Sequence, residues 1–256
     1  MQPEPSTFQR ASGVLLHPTA LPGPDGIGSF GREALHFIDF LTAAGQSIWQ
    51  MLPLGPTGYG NSPYNALSAF AGNPLLIDLK QLVASGDLPP QQHQAVRLDD
   101  SSVDFEQVCA DKTSRLQEAA AHFLARQPAD SRVSAFHDFC RQQSDWLDDF
   151  ALFMTIRAEQ GLKPWWRWPK ALSKREQSEL DCFHRQKTDR ILTCKFQQFV
   201  FFEQWSRLRS YAKDKGVQLF GDMPIFVARD SADVWAHQQL FQLDDDGQPT
   251  AVAGVP

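Results

Sequence analysis

Ser47-Ile48-Trp49-Gln50-Met51-Leu52-Pro53 decides the fold once it is set beside Gly13-Val14-Leu15-Leu16-His17-Pro18. Each is a short apolar run closed by proline, which has no N–H for a sheet ladder, so each reads as a buried strand. Between them Phe30, Ala34, Phe37, Ile38 and Leu41 recur at helical spacing, with Ser29 placed to cap the start and Gly45 to end it. The chain therefore opens as strand, Pro/Gly-rich loop over 18–28, helix, strand. That order favours a parallel sheet with a right-handed crossover.

Outward from this unit, residues 54–73 form a long loop with no helical period. Structureless loops of this length are uncommon in compact domains and point to function. From about 81 to 190 the pattern is helical and charged. Its clearest helix is expected over 136–160, with Phe136, Phe139, Cys140, Trp146, Leu147, Phe150, Phe153 and Met154 on one side. A further helix is expected over about 195–215, ending at Gly216. Val217-Gln218-Leu219-Phe220-Gly221 then reads as a third strand that delivers Asp222 at its C-terminal end. Two strands, a large helical insertion and a third strand fit an α/β barrel interrupted by a subdomain.

Composition bounds the partners. The 256 residues carry a net charge of −6, with 42% hydrophobic and 21% charged residues. These are ordinary globular values for a chain long enough to bury a sizeable core. The acidic balance argues against a nucleic-acid partner, which needs a basic face. No apolar run approaches membrane-spanning length, and residues 1–10 are polar with no signal-peptide core. Cys109, Cys140, Cys182 and Cys194 show no C-x-x-C spacing and read as reduced, partly buried thiols of a cytoplasmic protein.

Two patterns mislead. Gly26-x-Gly28-x-x-Gly31 matches a dinucleotide fingerprint, but the first glycine should follow the strand directly, and here Pro18, Pro22 and Pro24 intervene. The ribose-binding carboxylate expected after the second strand is replaced by Met51-Leu52-Pro53. The glycines read instead as a loop bending near a ligand. Asp244-Asp245-Asp246-Gly247 suggests a calcium loop, yet an EF-hand needs an acid at Ala253, and Asp-Gly between short apolar segments is a hairpin signal. No metal site is expected.

Gly58-Tyr59-Gly60-Asn61-Ser62-Pro63-Tyr64 holds two of the chain's three tyrosines, in the long loop beyond a strand's C-terminal end. Barrel active sites are built there. A tyrosine ring offers a flat apolar face and a polar tip, which matches the C–H face and hydroxyl rim of a sugar. The same residues could equally pack on a barrel rim, and from the residues alone both readings stand.

A family resemblance separates them. Gly13-Val14-Leu15-Leu16-His17-Pro18-Thr19, Gly26-Ile27-Gly28 with Phe30-Gly31, Gln50-Met51-Leu52-Pro53-Leu54-Gly55-Pro56-Thr57, and Ser62-Pro63-Tyr64 with Asn73-Pro74 resemble the opening of amylomaltases, the 4-α-glucanotransferases of glycoside hydrolase family 77. Trp165-Trp166-Arg167-Trp168-Pro169, Gly221-Asp222-Met223-Pro224-Ile225-Phe226-Val227, Asp230-Ser231-Ala232-Asp233-Val234-Trp235 and Val252-Ala253-Gly254-Val255-Pro256 follow in the family's order. The resemblance spans nearly the whole chain.

It implies the N-terminal part of a (β/α)8 TIM barrel with a mainly helical insertion. The first barrel units fall in 1–80, the insertion in 81–194, and the return to the barrel in 195–256. It also implies retaining transfer of α-1,4-glucan segments between maltooligosaccharides without metal or organic cofactor. The family's reacting carboxylates lie past the point corresponding to Pro256, so the chain is expected to be inactive alone. The alternative is a non-catalytic α-glucan-binding fragment. Carried over by position, Ser62, Tyr64 and Asp222 resemble residues lining the sugar site at the cleavage point, and Tyr59 matches a tyrosine of a second glucan-binding surface. Asn61 departs from the family, several members of which have Asp there. Asp25, Asp222, Asp230 and Asp233 are the acids in the substrate-side segments; none matches a catalytic position. At Asp222 the structural alternative is a cap or turn former before Pro224. His17 fits packing or a backbone hydrogen bond as well as function, and the three tryptophans Trp165, Trp166 and Trp168 fit the core of the insertion.

The failed fingerprint has a direct test. Titration with NAD, followed by tryptophan fluorescence, is expected to show no binding at millimolar concentration; saturable binding would restore the dinucleotide reading.

Overall fold

The computed structural model describes residues 10–90, 102–224 and 226–251. Most of the polar N-terminal stretch, Ile225 and the Val252–Pro256 motif lie outside the described residues. Strands β1 (Gly13–Leu15), β2 (Ile48–Gln50) and β3 (Gln218–Phe220) form one sheet in the order β1-β2-β3. Both pairings are parallel, with Val14 opposite Trp49 and Trp49 opposite Leu219. Parallel neighbours need a crossover. Helix α1 (Arg32–Ala43) supplies the first, and everything from α2 (Leu79–Ala84) to α8 (Thr188–Asp214) lies within the second. Between those two lie α3 (Phe105–Leu124), α4 (Ser131–Gln142), α5 (Ser144–Glu159), α6 (Lys170–Ser173) and α7 (Gln177–Gln186); α9 (Ala232–Ala236) follows β3.

Each strand is three residues, shorter than its apolar run, although single bonds such as Leu16 N–H to the Gln50 carbonyl at 3.0 Å and Met51 N–H to the Phe220 carbonyl at 2.9 Å extend the pairing. The helix expected over 136–160 is two helices: the break falls at Gln143, whose backbone N–H bonds back to Phe139 while its side chain accepts from the Trp146 indole at 2.9 Å. Helical spacing continues across that break, so periodicity could not find it. The last long helix begins at Thr188, earlier than the expected 195, with Lys187 alone separating it from the end of α7 at Gln186. Ser29 does not cap α1. It is buried, and the N-cap position is Gly31, which makes no side-chain bond.

One row of the sheet, Val14, Trp49 and Leu219, packs into a core shared by α1, α3, α4 and α8. The next row turns to the other face, where Leu15 is 54% and Phe220 59% exposed. A second core gathers α5, Trp165, Trp168 and Trp235. Trp165 is wholly buried there and Trp168 nearly so, as expected of core residues, whereas Trp166 is half-buried beneath the Arg229 guanidinium at 3.7 Å. All four cysteines are half-buried free thiols; burial pushes Cys140 up to about 11 and Cys194 up to about 12. No helix among the described residues is long and apolar enough to cross a membrane.

Helix α8 touches α1, α3, α4, α5, α7 and β3. It also carries two buried glutamines that grip main chain. Gln198 accepts from the Gly72 N–H at 2.8 Å and donates to its carbonyl at 3.0 Å; Gln204 does the same to Asp78, at the same two distances. Each side-chain amide thereby completes a buried backbone residue as a neighbouring strand would. Only glycine fits at 72, because a Cβ there would sit 2.1 Å from the Phe201 ring. Between the two grips, Lys112 of α3 is buried and donates to the carbonyls of Leu75 and Ile77 at 2.6 and 2.8 Å. Burial holds its ammonium down to about 8, with Asp25 and Asp78 opposing the shift. Asp87, also fully buried, receives Arg126 at 2.7 Å and Arg132 at 2.9 Å, tying the end of α2 to α3 and α4.

Gln198→Leu keeps the volume but strands the Gly72 N–H and carbonyl in the interior. Urea unfolding is expected to show a loss of about 2–4 kcal/mol with an unchanged slope. A loss within ~0.5 kcal/mol would show that the grip contributes little.

Candidate functional site

Residues 54–73 are not structureless: short hydrogen bonds pinch them. Thr57 bridges Ala66, the Gly58 N–H reaches the Asn65 carbonyl at 2.7 Å, and the Leu67 N–H reaches Pro56 at 2.8 Å. At the base the Asn73 N–H closes on Leu54 at 2.8 Å. Inside the pinch, Asn65 donates to the Ser62 carbonyl at 3.0 Å, forming a turn whose second position is Pro63. Proline presets φ for that position, and the turn places Tyr64 at its corner. The preceding residues Tyr59–Asn61 make a 3-10 turn in which Asn61 has φ of 53°. Asn tolerates this left-handed conformation because its short polar side chain can bond locally, and Asp shares that property. The Asn61 departure is thus neutral for the backbone.

The corner faces the end of β3. The Tyr64 hydroxyl donates to Asp222 Oδ2 at 2.6 Å, joining residues 158 positions apart. Tyr64 is 49% exposed and Asp222 is exposed, so both present surface to solvent. The carboxylate raises the Tyr64 phenol above its ordinary value, first by accepting its proton in a hydrogen bond and then by its charge. Ser62 is half-buried in the same turn, and Tyr59 begins the turn before it. Of the four residues singled out in the sequence, the structure joins Tyr64 to Asp222 directly, with Ser62 two positions from Tyr64. Beside this pair opens a cleft of about 240 Å³, lined among others by Leu54, Ser68, Phe70, Trp205, Asp222 and Met223.

The other sequence candidates are structural. His17 lies near Thr19 Oγ1 at 2.7 Å and the Pro53 carbonyl at 3.3 Å, and burial lowers its imidazole below the ordinary value. Asp230 pairs with Arg157 at 3.2 Å and accepts from the Trp165 N–H at 3.2 Å. Asp233 accepts from the Ala69 N–H at 3.0 Å, and desolvation raises its carboxyl. Asp25 is buried. Gly28 owes its place to a close approach: a Cβ would lie 1.9 Å from the Pro18 carbonyl oxygen, so this glycine packs loop on loop. Asp244 accepts from the N–H groups of Asp246 and Gln248 at 3.0 and 2.7 Å, and Leu243 bridges Pro249, as the hairpin reading requires. Among the described residues no cluster of three or more His, Cys, Asp or Glu is placed to hold a metal.

Sequence reasoning missed Ser68, Phe70, Trp205 and Met223. Phe70 and Met223 are 61% and 85% exposed, unusual for large apolar side chains, but exposure is not written in local sequence. Trp205 sits on α8 and reads as core by periodicity.

Comparison with known proteins gives one consistent answer. The family model described as 4-alpha-glucanotransferase matches residues 16–256. A 4-alpha-glucanotransferase of Thermus thermophilus is 47% identical over 252 residues, covering 96% of this chain and 49% of the relative. One from Synechocystis is 45% identical over 250 residues, covering 97% and 49%. Among solved structures, the amylomaltase from Streptococcus agalactiae in complex with acarbose superposes with a TM-score of 0.90 at 42% identity, covering 97% of this chain and 50% of that one. The chain spans about half the length of the curated relatives it matches.

With only three tyrosines in the chain, the Tyr64–Asp222 bond can be read by spectroscopic titration. One phenol is expected to ionise above the ordinary range, and Asp222→Asn should return it towards that range, because charge and anionic acceptor go together. The contact should therefore hold through neutral pH and be lost in strong alkali, where the phenol ionises. A high-titrating phenol that persists in the Asp222→Asn variant would sink the assignment.

Proposed function

Since the chain belongs to the 4-α-glucanotransferase family, we propose that it forms one wall of the active site of an enzyme moving α-1,4-glucan segments between maltooligosaccharides. The observation that carries this reading is the Tyr64–Asp222 hydrogen bond at the carboxyl end of a parallel strand, beside an open cleft. Retaining transfer uses a carboxylate that attacks the anomeric carbon and an acid that protonates the leaving oxygen; a sugar hydroxyl then resolves the glycosyl-enzyme ester. Asp222 accepts hydroxyl hydrogens of the bound sugar, and Tyr64 fixes that carboxylate while offering its ring to the sugar's C–H face. Ser62 lines the same sugar, and Tyr59 contacts longer glucans. The reacting carboxylates belong to the half of the relatives that this chain does not match. Asp230 and Asp233 are already engaged in structural bonds, which supports placing the chemistry elsewhere.

The same reading takes the sheet as part of a (β/α)8 barrel. Residues 1–80 and 195–256 contribute barrel units, and 81–194 are the helical insertion. The exposed row of Leu15 and Phe220 would face the barrel interior, which explains two large apolar side chains left in solvent. No metal or organic cofactor enters this chemistry.

In the intact enzyme, Tyr64→Ala and Asp222→Asn are each expected to slow disproportionation of maltotriose by about a hundredfold while the protein stays folded, because a misplaced reacting sugar loses alignment. Tyr59→Ala should alter behaviour with long glucans and leave maltotriose nearly untouched. The 256-residue chain by itself should release no glucose from maltotriose. Wild-type kinetics in all three variants would mean that the loop is structural; glucose release by the chain alone, abolished by Asp222→Asn, would place the reacting acids within it.

A further inference from the structure

Phe70 lines two depressions at once. One is the cleft beside Asp222. The other, also of about 240 Å³, is walled by Asp145, Trp146, Asp149, Asp233 and His237. Ser68 and Phe70 belong to both, so the two meet across Phe70. Its ring is 61% exposed, yet its position is fixed from several sides. Ser68 Oγ accepts from the Phe70 and Ala71 N–H groups at 3.1 and 3.2 Å, and Asp233 holds the Ala69 N–H at 3.0 Å. The ring lies near-parallel to Trp146, with centroids 6.3 Å apart and planes at 23°. Trp146 is in turn anchored by its indole N–H on Gln143 at 2.9 Å.

A rigid, exposed aromatic face beside several carboxylates is a specific chemical offer. Solvent-facing aromatics occur singly on many surfaces. This one comes with a stacked partner, a preset backbone and acceptors around a depression, which fits a ring with one apolar face and a rim of hydroxyl donors. Asp149 is held by Arg175 at 2.6 Å, while Asp145 and His237 are exposed at the edge. The carboxylates here repel anionic ligands and, beside the exposed ring, offer acceptors to the hydroxyl donors of a neutral sugar.

We propose that this second depression binds a glucose unit of an α-1,4-glucan whose other end lies in the Asp222 cleft, with Phe70 as the stacking platform between them. The proposal rests on the glucan reading given above. It makes Phe70 a determinant of chain length, because only longer maltooligosaccharides reach past it into the second depression.

Apparent affinities of the intact enzyme for maltotriose and maltoheptaose, read as KM in disproportionation, test it. The wild-type enzyme is expected to prefer maltoheptaose. Phe70→Ala should cut maltoheptaose affinity about tenfold, as removal of one aromatic stack of ~1.4 kcal/mol implies, and should lower maltotriose affinity by much less, so that the preference for the longer sugar shrinks. Phe70→Tyr should restore the preference, and Asp145→Asn should weaken maltoheptaose binding alone. Both positions are exposed, so a thermal melt matching wild type will accompany each variant. A Phe70→Ala enzyme that binds both sugars as wild type does overturns this inference and spares the glucan reading. An intact wild-type enzyme that acts on neither sugar overturns both.

Discussion

Gln198 and Gln204 hold the segment on which the site depends. Residues 72–78 run through the interior, where main-chain N–H and carbonyl groups have no water; a 3-10 turn over Pro74–Leu76 pairs some of them, and the rest find partners in the Phe30 N–H and among side chains. Helix α8 supplies them as two amides six residues apart, gripping two main-chain residues six apart. Lys112 satisfies the carbonyls between. The loop over 54–73 closes on Leu54 immediately after the first grip, so the helix that leads into β3 also fixes where the loop ends.

This arrangement converts a long loop into a defined surface. One side of the pinched segment meets β3 through Tyr64 and Asp222, and the other meets α9 through Asp233 and the Ala232 N–H, which reaches the Leu67 carbonyl at 2.8 Å. Loop geometry is therefore set by elements far along the chain. The exposed apolar groups around it, Phe70 and Met223, and the exposed sheet row of Leu15 and Phe220, all lie on faces that the packed helices leave open.

Helices α3 and α4 share one core with the sheet. Phe123 and Phe136, from α3 and α4, pack with Phe196 and Phe199 of α8 in the same cluster that buries Trp49 of the central strand. Arg132 stitches this junction, with its guanidinium between Asp87 and Glu203 and over the Phe199 ring at 5.3 Å. Strain in α3 or α4 would reach the sheet and the loop through these contacts.

The sequence by itself determined the three strands, their parallel order and the position of Asp222 at a strand end. Those features are written in short apolar runs, proline stops and helical spacing, which are local signals. It also located the tyrosine-bearing loop, although as a stretch without regular structure; the turn at Pro63 and the hydrogen bonds that pinch the loop came from the structure. Tertiary structure alone decided that Tyr64 meets Asp222 and that Gln198 and Gln204 are main-chain partners rather than surface polars on a long helix. It decided as well that helix continuity fails at Gln143 despite unbroken periodicity, that Ser29 is packed rather than capping, and that Phe70 stands exposed between two depressions. Each of these depends on what lies opposite a residue in space. A side chain's hydrogen-bond partner more than a hundred positions away leaves no trace in the spacing around it.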